Sequence, residues 1–382
     1  MSPPRNWESV HAEFPINQQL LWLNNCGIAA MPGPVLAAME RHLRALAARG
    51  VMGCPGEAAT HTAVRTLLAQ IIGCDVDELA LCHNTNEAML FLSHGLQLAA
   101  GDHVLLMQDE YPSNVYPWQH WQGRGVALDV VPLGRSPGEF LEEFAAALGP
   151  RTKVVSLSAV HWCTGMPLPL AEVGRICAER GIAFFVDGAQ GVGLVPLDVR
   201  ALSITAMGFS AWKWLLGPLG LGAFYVRRDY LPRLGFPWKG TGSVINDEAY
   251  LPYRDTLKPG MDRYVLSTPN FNDWIYFEAS LRYLAELGMD VVQKRIHALA
   301  DHLAAGLRSA GFQLTRDAFP EVATGIIAAS KPGHDSAALI AGLQARGIVA
   351  AERQGRLRLA PHVFLLERQL DQVVDVLAEL SR

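Results

Sequence analysis

Lys213 stands where an ordinary solvated lysine is badly placed. It lies between two tryptophans in Ser210-Ala211-Trp212-Lys213-Trp214-Leu215-Leu216-Gly217-Pro218, directly after the apolar run Ile204-Thr205-Ala206-Met207-Gly208-Phe209. Desolvation by aromatic neighbours disfavours the ammonium form and lowers a lysine pKa. An amine made nucleophilic in this way can form a Schiff base with an aldehyde. The alternative is a lysine at a strand end, its stem packed on the indoles and its head in water. Asp187 bears on the choice. It closes the apolar run Ala183-Phe184-Phe185-Val186 and opens the turn Gly188-Ala189-Gln190. In an open parallel sheet, ligands sit outside the carboxyl ends of the strands, so Asp187 and Lys213 are expected to face one rim.

Such a rim requires a sheet. Strand-like apolar runs at 78–82, 103–107, 153–157 and 182–186 alternate with helical stretches near 86–99, 138–148 and 169–180. That alternation argues a mostly parallel sheet covered on both faces. A dinucleotide-binding sheet is the rival α/β reading, but Gly191-Val192-Gly193 is half of the glycine fingerprint and Pro196 stands where the third glycine belongs. Beyond residue 235 the loop signal Phe236-Pro237-Trp238-Lys239-Gly240-Thr241-Gly242-Ser243 opens a polar, proline-containing stretch. A helical region follows at 273–310 with a break at Gly288, then strands at 324–329 and 356–360 and helices at 336–346 and 367–381. We expect an N-terminal arm at 1–20, a large domain at 21–262 and a smaller C-terminal α/β domain at 263–382.

Composition narrows the class. The 382 residues are 50% hydrophobic and 18% charged, with net charge −5. This offers no bulk attraction to nucleic acid or anionic lipid. The N-terminal Met1-Ser2-Pro3-Pro4-Arg5-Asn6-Trp7-Glu8 lacks the basic-then-apolar pattern of a signal peptide, and no apolar run reaches bilayer length. A cytoplasmic protein is expected. Cys26, Cys54, Cys74, Cys82, Cys163 and Cys177 form no Cys-x-x-Cys pair and no metal-like spacing with histidine. They read as free thiols, and no metal is expected.

Asp187-Gly188-Ala189-Gln190 and Ser210 to Pro218, in this order and spacing, resemble the class V aminotransferase superfamily. These are fold-type I pyridoxal 5'-phosphate enzymes that include cysteine desulfurases, cystine lyases, kynureninases and isopenicillin N epimerases. The resemblance extends over most of the chain and implies a large domain with a mostly parallel sheet plus a smaller α/β domain. The cofactor needs a lysine for its aldehyde and a carboxylate to keep its ring nitrogen protonated, positions that fall on Lys213 and Asp187.

His83-Asn84-Thr85-Asn86-Glu87-Ala88 follows a strand and opens a helix, a junction that can bind an anion or simply cap the helix. The resemblance places the cofactor phosphate on Thr85 and Asn86, with Ser210 and Trp212 as further contacts. Trp212 stands where desulfurases carry histidine and kynureninases tyrosine. Tyr111 falls at the ring-stacking position, and Gln190 at that of a donor to the ring hydroxyl. His161 and Trp162, in Val160-His161-Trp162-Cys163-Thr164-Gly165, match a loop near that hydroxyl and the substrate. His161 is the candidate acid or base there, a structural histidine being the alternative.

Substrate carboxylates call for a guanidinium, which grips both oxygens. The family position falls on Arg358, while Arg353 and Arg356 read as partners of surface acids. Asn25, in Asn24-Asn25-Cys26-Gly27, and the loop Gly53-Cys54-Pro55-Gly56 are candidates for contacting the substrate side chain. Leu266-Ser267-Thr268-Pro269-Asn270 resembles a segment whose threonine reaches the phosphate of a neighbouring subunit. Thr268 therefore implies a homodimer with shared sites.

The resemblance further implies that an amino acid is bound as an external aldimine and loses its α-proton to Lys213, leaving an α-carbanion. Desulfurases carry a mobile cysteine before the carboxylate-binding arginine. Here Gly347-Ile348-Val349-Ala350-Ala351-Glu352-Arg353-Gln354-Gly355-Arg356 is short and free of cysteine. A β-eliminating C–S lyase without a persulfide cysteine is the leading expectation. An epimerase, a kynureninase-like hydrolase, an aminotransferase, a decarboxylase or a cyclase are alternatives. A non-catalytic binding protein is a further one, disfavoured because both Lys213 and Asp187 are present.

Overall fold

A computed structural model describes residues 6–320, 322 and 324–382. The chain opens with α1 (Trp7–Ala12), capped by the Asn6 side chain, and β1 (Leu21–Trp22), then α2 (Gly33–Arg49) and α3 (Glu57–Ile72). The alternating region follows as β2 (Leu79–Cys82), α4 (Thr85–Gly95), β3 (His103–Met107), α5 (Tyr116–Gln119), β4 (Ala127–Val131), α6 (Pro137–Ala147), β5 (Thr152–Ser158), α7 (Leu170–Glu179), β6 (Ala183–Asp187), β7 (Ala206–Ser210) and β8 (Gly222–Val226). These strands form, among the described residues, one seven-stranded sheet in the order β2-β8-β7-β6-β5-β3-β4. All neighbours run parallel except β8, which is antiparallel to both β2 and β7.

The expected sheet is therefore present, and its central strands are apolar because both faces are covered. Every residue of β6, β7 and β8 is buried. Full burial of side chains such as Phe185, Phe209 and Phe224 contributes about 2–3 kcal/mol each. The carboxyl ends of β6 and β7 carry Asp187 and Ser210 to the same rim, with Asp187 in register with Gly208.

The C-terminal part comprises α8 (Phe271–Leu287), α9 (Met289–Ser309), β9 (Gln313–Leu314), β10 (Ile327–Ser330), α10 (Ser336–Gln344), β11 (Ile348–Val349), β12 (Ala351–Arg353), β13 (Arg356–Leu359) and α11 (Glu367–Leu380). Gly288, at φ 85°, separates α8 from α9 where the sequence shows its helix break, a backbone region costly for any residue with a Cβ. Strands β12-β13-β10-β9 make a smaller antiparallel sheet.

Two connections cross the expected boundaries at 20 and 262. Strand β1 pairs in parallel with β11, Asn24 bridges to Ala360, and Phe14 stacks on Phe364 at 4.3 Å between centroids. The N-terminal segment thus runs along the C-terminal part. Helix α8 lies the other way, packing on the large sheet's side: Trp274 stacks on His61 of α3, and the Ser280 hydroxyl donates to the Leu216 carbonyl. The division into 1–20, 21–262 and 263–382 remains a proposal.

Candidate active site

A cavity of about 440 Å³ opens at the carboxyl ends of β6 and β7. It is lined by Lys213, Tyr111, Thr85, Asn86, Gln190, Ser210, Trp212, Trp162 and Arg358, together with Cys26, Gly27, Asn84, Ser113, Ala189 and Arg353. Residues scattered over more than 300 positions of sequence thus meet because strand ends, helix starts and the β12–β13 hairpin converge there.

Lys213 is half-buried in the cavity wall, and desolvation holds its amine below the usual lysine range, opposed by the nearby Asp187. Its Nζ lies 5.6 Å from the centre of the Tyr111 ring. Asp187 sits directly behind the lining. Its Oδ1 accepts from the Ala189 N–H at 2.9 Å and its Oδ2 from the Ser113 hydroxyl at 3.1 Å. Burial raises this carboxyl above its ordinary range, while those two donors and Lys213 pull the other way. A carboxylate has about four acceptor sites, so Asp187 retains capacity for a protonated ring nitrogen.

At the other end the polypeptide presents an anion cradle. Helix α4 is capped by Asn84, whose Oδ1 accepts from the Glu87 N–H at 2.9 Å. Capping therefore falls to Asn84, and Thr85 and Asn86 begin the helix with its free N–H groups beside the cavity. Opposite, the Ser210 hydroxyl is buried and has no hydrogen-bond partner among the described residues, an arrangement that asks for a ligand acceptor. Gly208 lets α4 approach β7: a Cβ there would sit 2.6 Å from Ala88 Cβ. An orphaned hydroxyl, a helix start, a desolvated lysine and a buried carboxylate fit the phosphate, aldehyde and ring nitrogen of pyridoxal phosphate.

Arg358 is buried on β13, with Nη1 donating to the Trp162 carbonyl at 2.9 Å and Nε without a partner among the described residues. One edge of its guanidinium is thereby oriented and the other is free. Trp162 is itself fixed by its indole N–H on the Asp109 carbonyl at 2.8 Å. Gln190 is held at both ends: its amide donates to the Cys26 carbonyl at 2.8 Å and its Oε1 accepts from the Trp214 indole at 3.0 Å.

Three expected site residues lie elsewhere. His161 does not line this cavity. Its Nε2 is 3.0 Å from the Asp109 carbonyl, which can only accept, so Nε2 carries the proton and Nδ1 accepts from Thr164 at 2.9 Å. Burial lowers its pKa and keeps the ring neutral. Asn25 donates to the carbonyls of Ala360 and Trp22 and joins the N-terminal segment to the C-terminal part. Thr268 is exposed and borders a separate pocket beside His83 and Glu87. The loop at 53–56 does not reach the cavity either.

Other residues went unassigned in the sequence reading. Ser113, two positions after Tyr111, carries no signal of its own. Glu110 is buried with Oε1 accepting from the Ser158 N–H at 2.6 Å and its carboxyl bonded to the Ser158 hydroxyl. Burial first, then the charge of Asp187, push its pKa up to about 8. Arg353 and Arg356, expected to partner surface acids, pair with none among the described residues; they donate instead to the nearby backbone carbonyls of Glu352 and Gln354.

The family sequence model described as aminotransferase class-V matches residues 21–367. The chain belongs to the class-V aminotransferase family. It is accordingly a pyridoxal 5'-phosphate enzyme. Isopenicillin N epimerase of Streptomyces clavuligerus is 32% identical over 334 residues, 83% of each chain. A cysteine desulfurase of Enterobacter sp. (strain 638) is 31% identical over 317 residues, covering 79% of this chain and 77% of that protein. Apo cysteine desulfurase from Thermococcus onnurineus NA1 shares the fold at a TM-score of 0.88 and 23% identity, covering 100% of this chain and 99% of the other. Among the described residues, no helix is long and apolar enough to cross a membrane.

Proposed function

We propose that this class-V enzyme is a β-eliminating C–S lyase acting on an amino acid, without a cysteine that carries sulfur as persulfide. The observation that carries the reading is the β12–β13 hairpin. It closes through Gln354 and Gly355, both at positive φ, a tight connection with no room for a mobile loop. No cysteine lies between Ile348 and Leu359. Cys26, the one cysteine lining the cavity among the described residues, is fully buried, and burial pushes its thiol above the usual range. A neutral buried thiol is a poor sulfur acceptor.

In this reading Lys213 holds the cofactor and then serves as the base for the α-proton. Its desolvated amine is neutral more readily than an ordinary lysine, which suits both tasks. When bound, pyridoxal phosphate supplies the electron sink that makes the α-proton removable. Asp187 keeps the ring nitrogen protonated, and Ser113 and the Ala189 N–H aim that carboxylate. Tyr111 would cover the ring face, Gln190 would stand near the ring hydroxyl, and Ser210, Trp212, Thr85 and Asn86 would hold the phosphate. Arg358 grips the substrate α-carboxylate with its free edge, beside Trp162. His161, neutral and doubly bonded, acts by fixing the loop at Asp109. Asn25 shapes the substrate entrance through the Ala360 contact, and Thr268 completes the phosphate site of a partner subunit in a homodimer. A cytoplasmic location accords with this chemistry.

Epimerisation is the second reading, favoured by the 32% identity to isopenicillin N epimerase. A proton NMR time course in heavy water separates the two, with the holoenzyme given cysteine, cystine, S-substituted cysteines and alanine. We expect pyruvate, ammonium and a free thiol or persulfide from the sulfur amino acids, and no turnover with Lys213→Ala. Exchange of the α-proton without pyruvate would instead establish the epimerase.

A further inference from the structure

The β12–β13 hairpin carries more positive charge into the cavity than one α-carboxylate requires. Arg358 is opposite Ala351 and Arg353 is opposite Arg356 in the hairpin register. Directly opposed residues share a face, as do residues two apart on a strand. Arg353, Arg356 and Arg358 therefore project from one side of a hairpin whose last opposed pair is two arginines. Like charges placed so are mutually destabilising. Among the described residues no acid relieves them: the Arg353 Nη1 donates to the neighbouring Glu352 carbonyl at 2.6 Å, and the Glu352 carboxylate is engaged by the Gly355 N–H.

Arg353 and Arg358 both line the cavity, and no aspartate or glutamate does so among the described residues. The cofactor phosphate belongs by Ser210 and the start of α4, and Lys213 is committed to the cofactor. Arg358 answers the α-carboxylate. Arg353 is left at the mouth, exposed, with a guanidinium and no anion.

We propose that the substrate is an amino acid whose side chain ends in a second carboxylate, and that Arg353 reads it. This rests on the reading above, in which an amino acid enters with its α-carboxylate on Arg358. Arg353 is two residues along the strand from the position facing Arg358, roughly 7 Å at strand rise. That spacing suits a side chain a few atoms long, such as those of glutamate, 2-aminoadipate or S-carboxymethylcysteine. For the last, elimination breaks the Cβ–S bond, sulfur leaves with the electron pair and takes a proton as thioglycolate, and water completes pyruvate and ammonium.

The test is a titration of the holoenzyme followed by the visible absorbance of its cofactor, with pyruvate release as a separate readout. S-carboxymethylcysteine and glutamate are compared with their neutral isosteres, S-carbamoylmethylcysteine and glutamine. A charge-assisted contact predicts that each acid binds at least about tenfold tighter than its amide. The ratio should fall toward one in Arg353→Gln and be partly kept in Arg353→Lys. Equal affinity for acid and amide in the wild type, or an unchanged ratio in Arg353→Gln, overturns the assignment. Perturbation of the absorbance by none of the four would instead overturn the amino-acid reading beneath it. Pyruvate release from either sulfur compound reports on the lyase chemistry independently of the ratio.

Discussion

At the scale of single residues, the site works through desolvation. Lys213, Asp187 and Glu110 are all shifted toward their neutral forms, and in each burial is the largest cause. They differ in what opposes it. Both carboxyls accept hydrogen bonds that oppose it, but Asp187 also has the positive charge of Lys213 beside it, whereas Glu110 faces the negative field of Asp187. Glu110 is thus the buried acid that stays protonated near neutrality, and this has a consequence for stability. A group whose folded pKa of about 8 exceeds its unfolded value near 4 favours the fold below the unfolded pKa. That contribution is lost as pH rises toward 8, because the unfolded state releases the proton first. We expect the melting temperature of the wild type to fall between pH 5 and pH 8 relative to Glu110→Gln, by a few degrees. Parallel melting curves for the two proteins across that interval would show that Glu110 is ionised in the fold.

At the scale of elements, the proposed phosphate cradle depends on how closely α4 lies on the sheet. Gly208 is the contact point on β7, and on α4 its neighbours are Ala88 and the Thr85 carbonyl. The nearest neighbour is the short Ala88 side chain at 2.6 Å, which cannot move aside as the Met89 thioether at 3.7 Å can. Gly208→Val is expected to lift the start of α4 from Ser210 at a cost of about 1–3 kcal/mol. The readouts are a lower melting temperature and at least about tenfold weaker retention of the cofactor on dialysis. Full retention with only a lowered melting temperature would separate the cradle from this packing. The same segment shows what local sequence carries. The strand-to-helix change at His83–Thr85 is visible in composition, but Asn84 alone caps the helix, and three adjacent polar residues gave no way to divide the roles.

At the scale of the whole molecule, one chain leaves Thr268 outside the cavity, on an exposed segment beside His83 and Glu87. If that threonine serves a second copy, the enzyme sediments at twice the 41.6 kDa chain mass. Thr268→Ala should then loosen cofactor retention about tenfold, the worth of one charge-assisted hydrogen bond, without changing the dimer. A monomer with full cofactor occupancy would refute the shared site.

Much of the fold and of the site is legible in the sequence alone. Alternating apolar runs at 103–107, 153–157 and 182–186 coincide with β3, β5 and β6 within a residue, because buried parallel strands must be apolar throughout. Lys213 and Asp187 announce themselves by type and setting, since a lysine between tryptophans and an acid ending a core strand are costly without a role. The sequence by itself determined the α/β order of elements and singled out Lys213 and Asp187, the two groups proposed to meet the cofactor. Only the tertiary structure decided which polar residues face the cavity. It turned His161 into a neutral loop anchor, used Asn25 to tie the N-terminal segment to Ala360, brought Ser113 under Asp187, and left Arg353 at the mouth with no acid partner among the described residues. Strand and helix periodicity are local properties of the chain. The partner of a polar side chain is set by contacts between segments distant in sequence, and no local pattern encodes those.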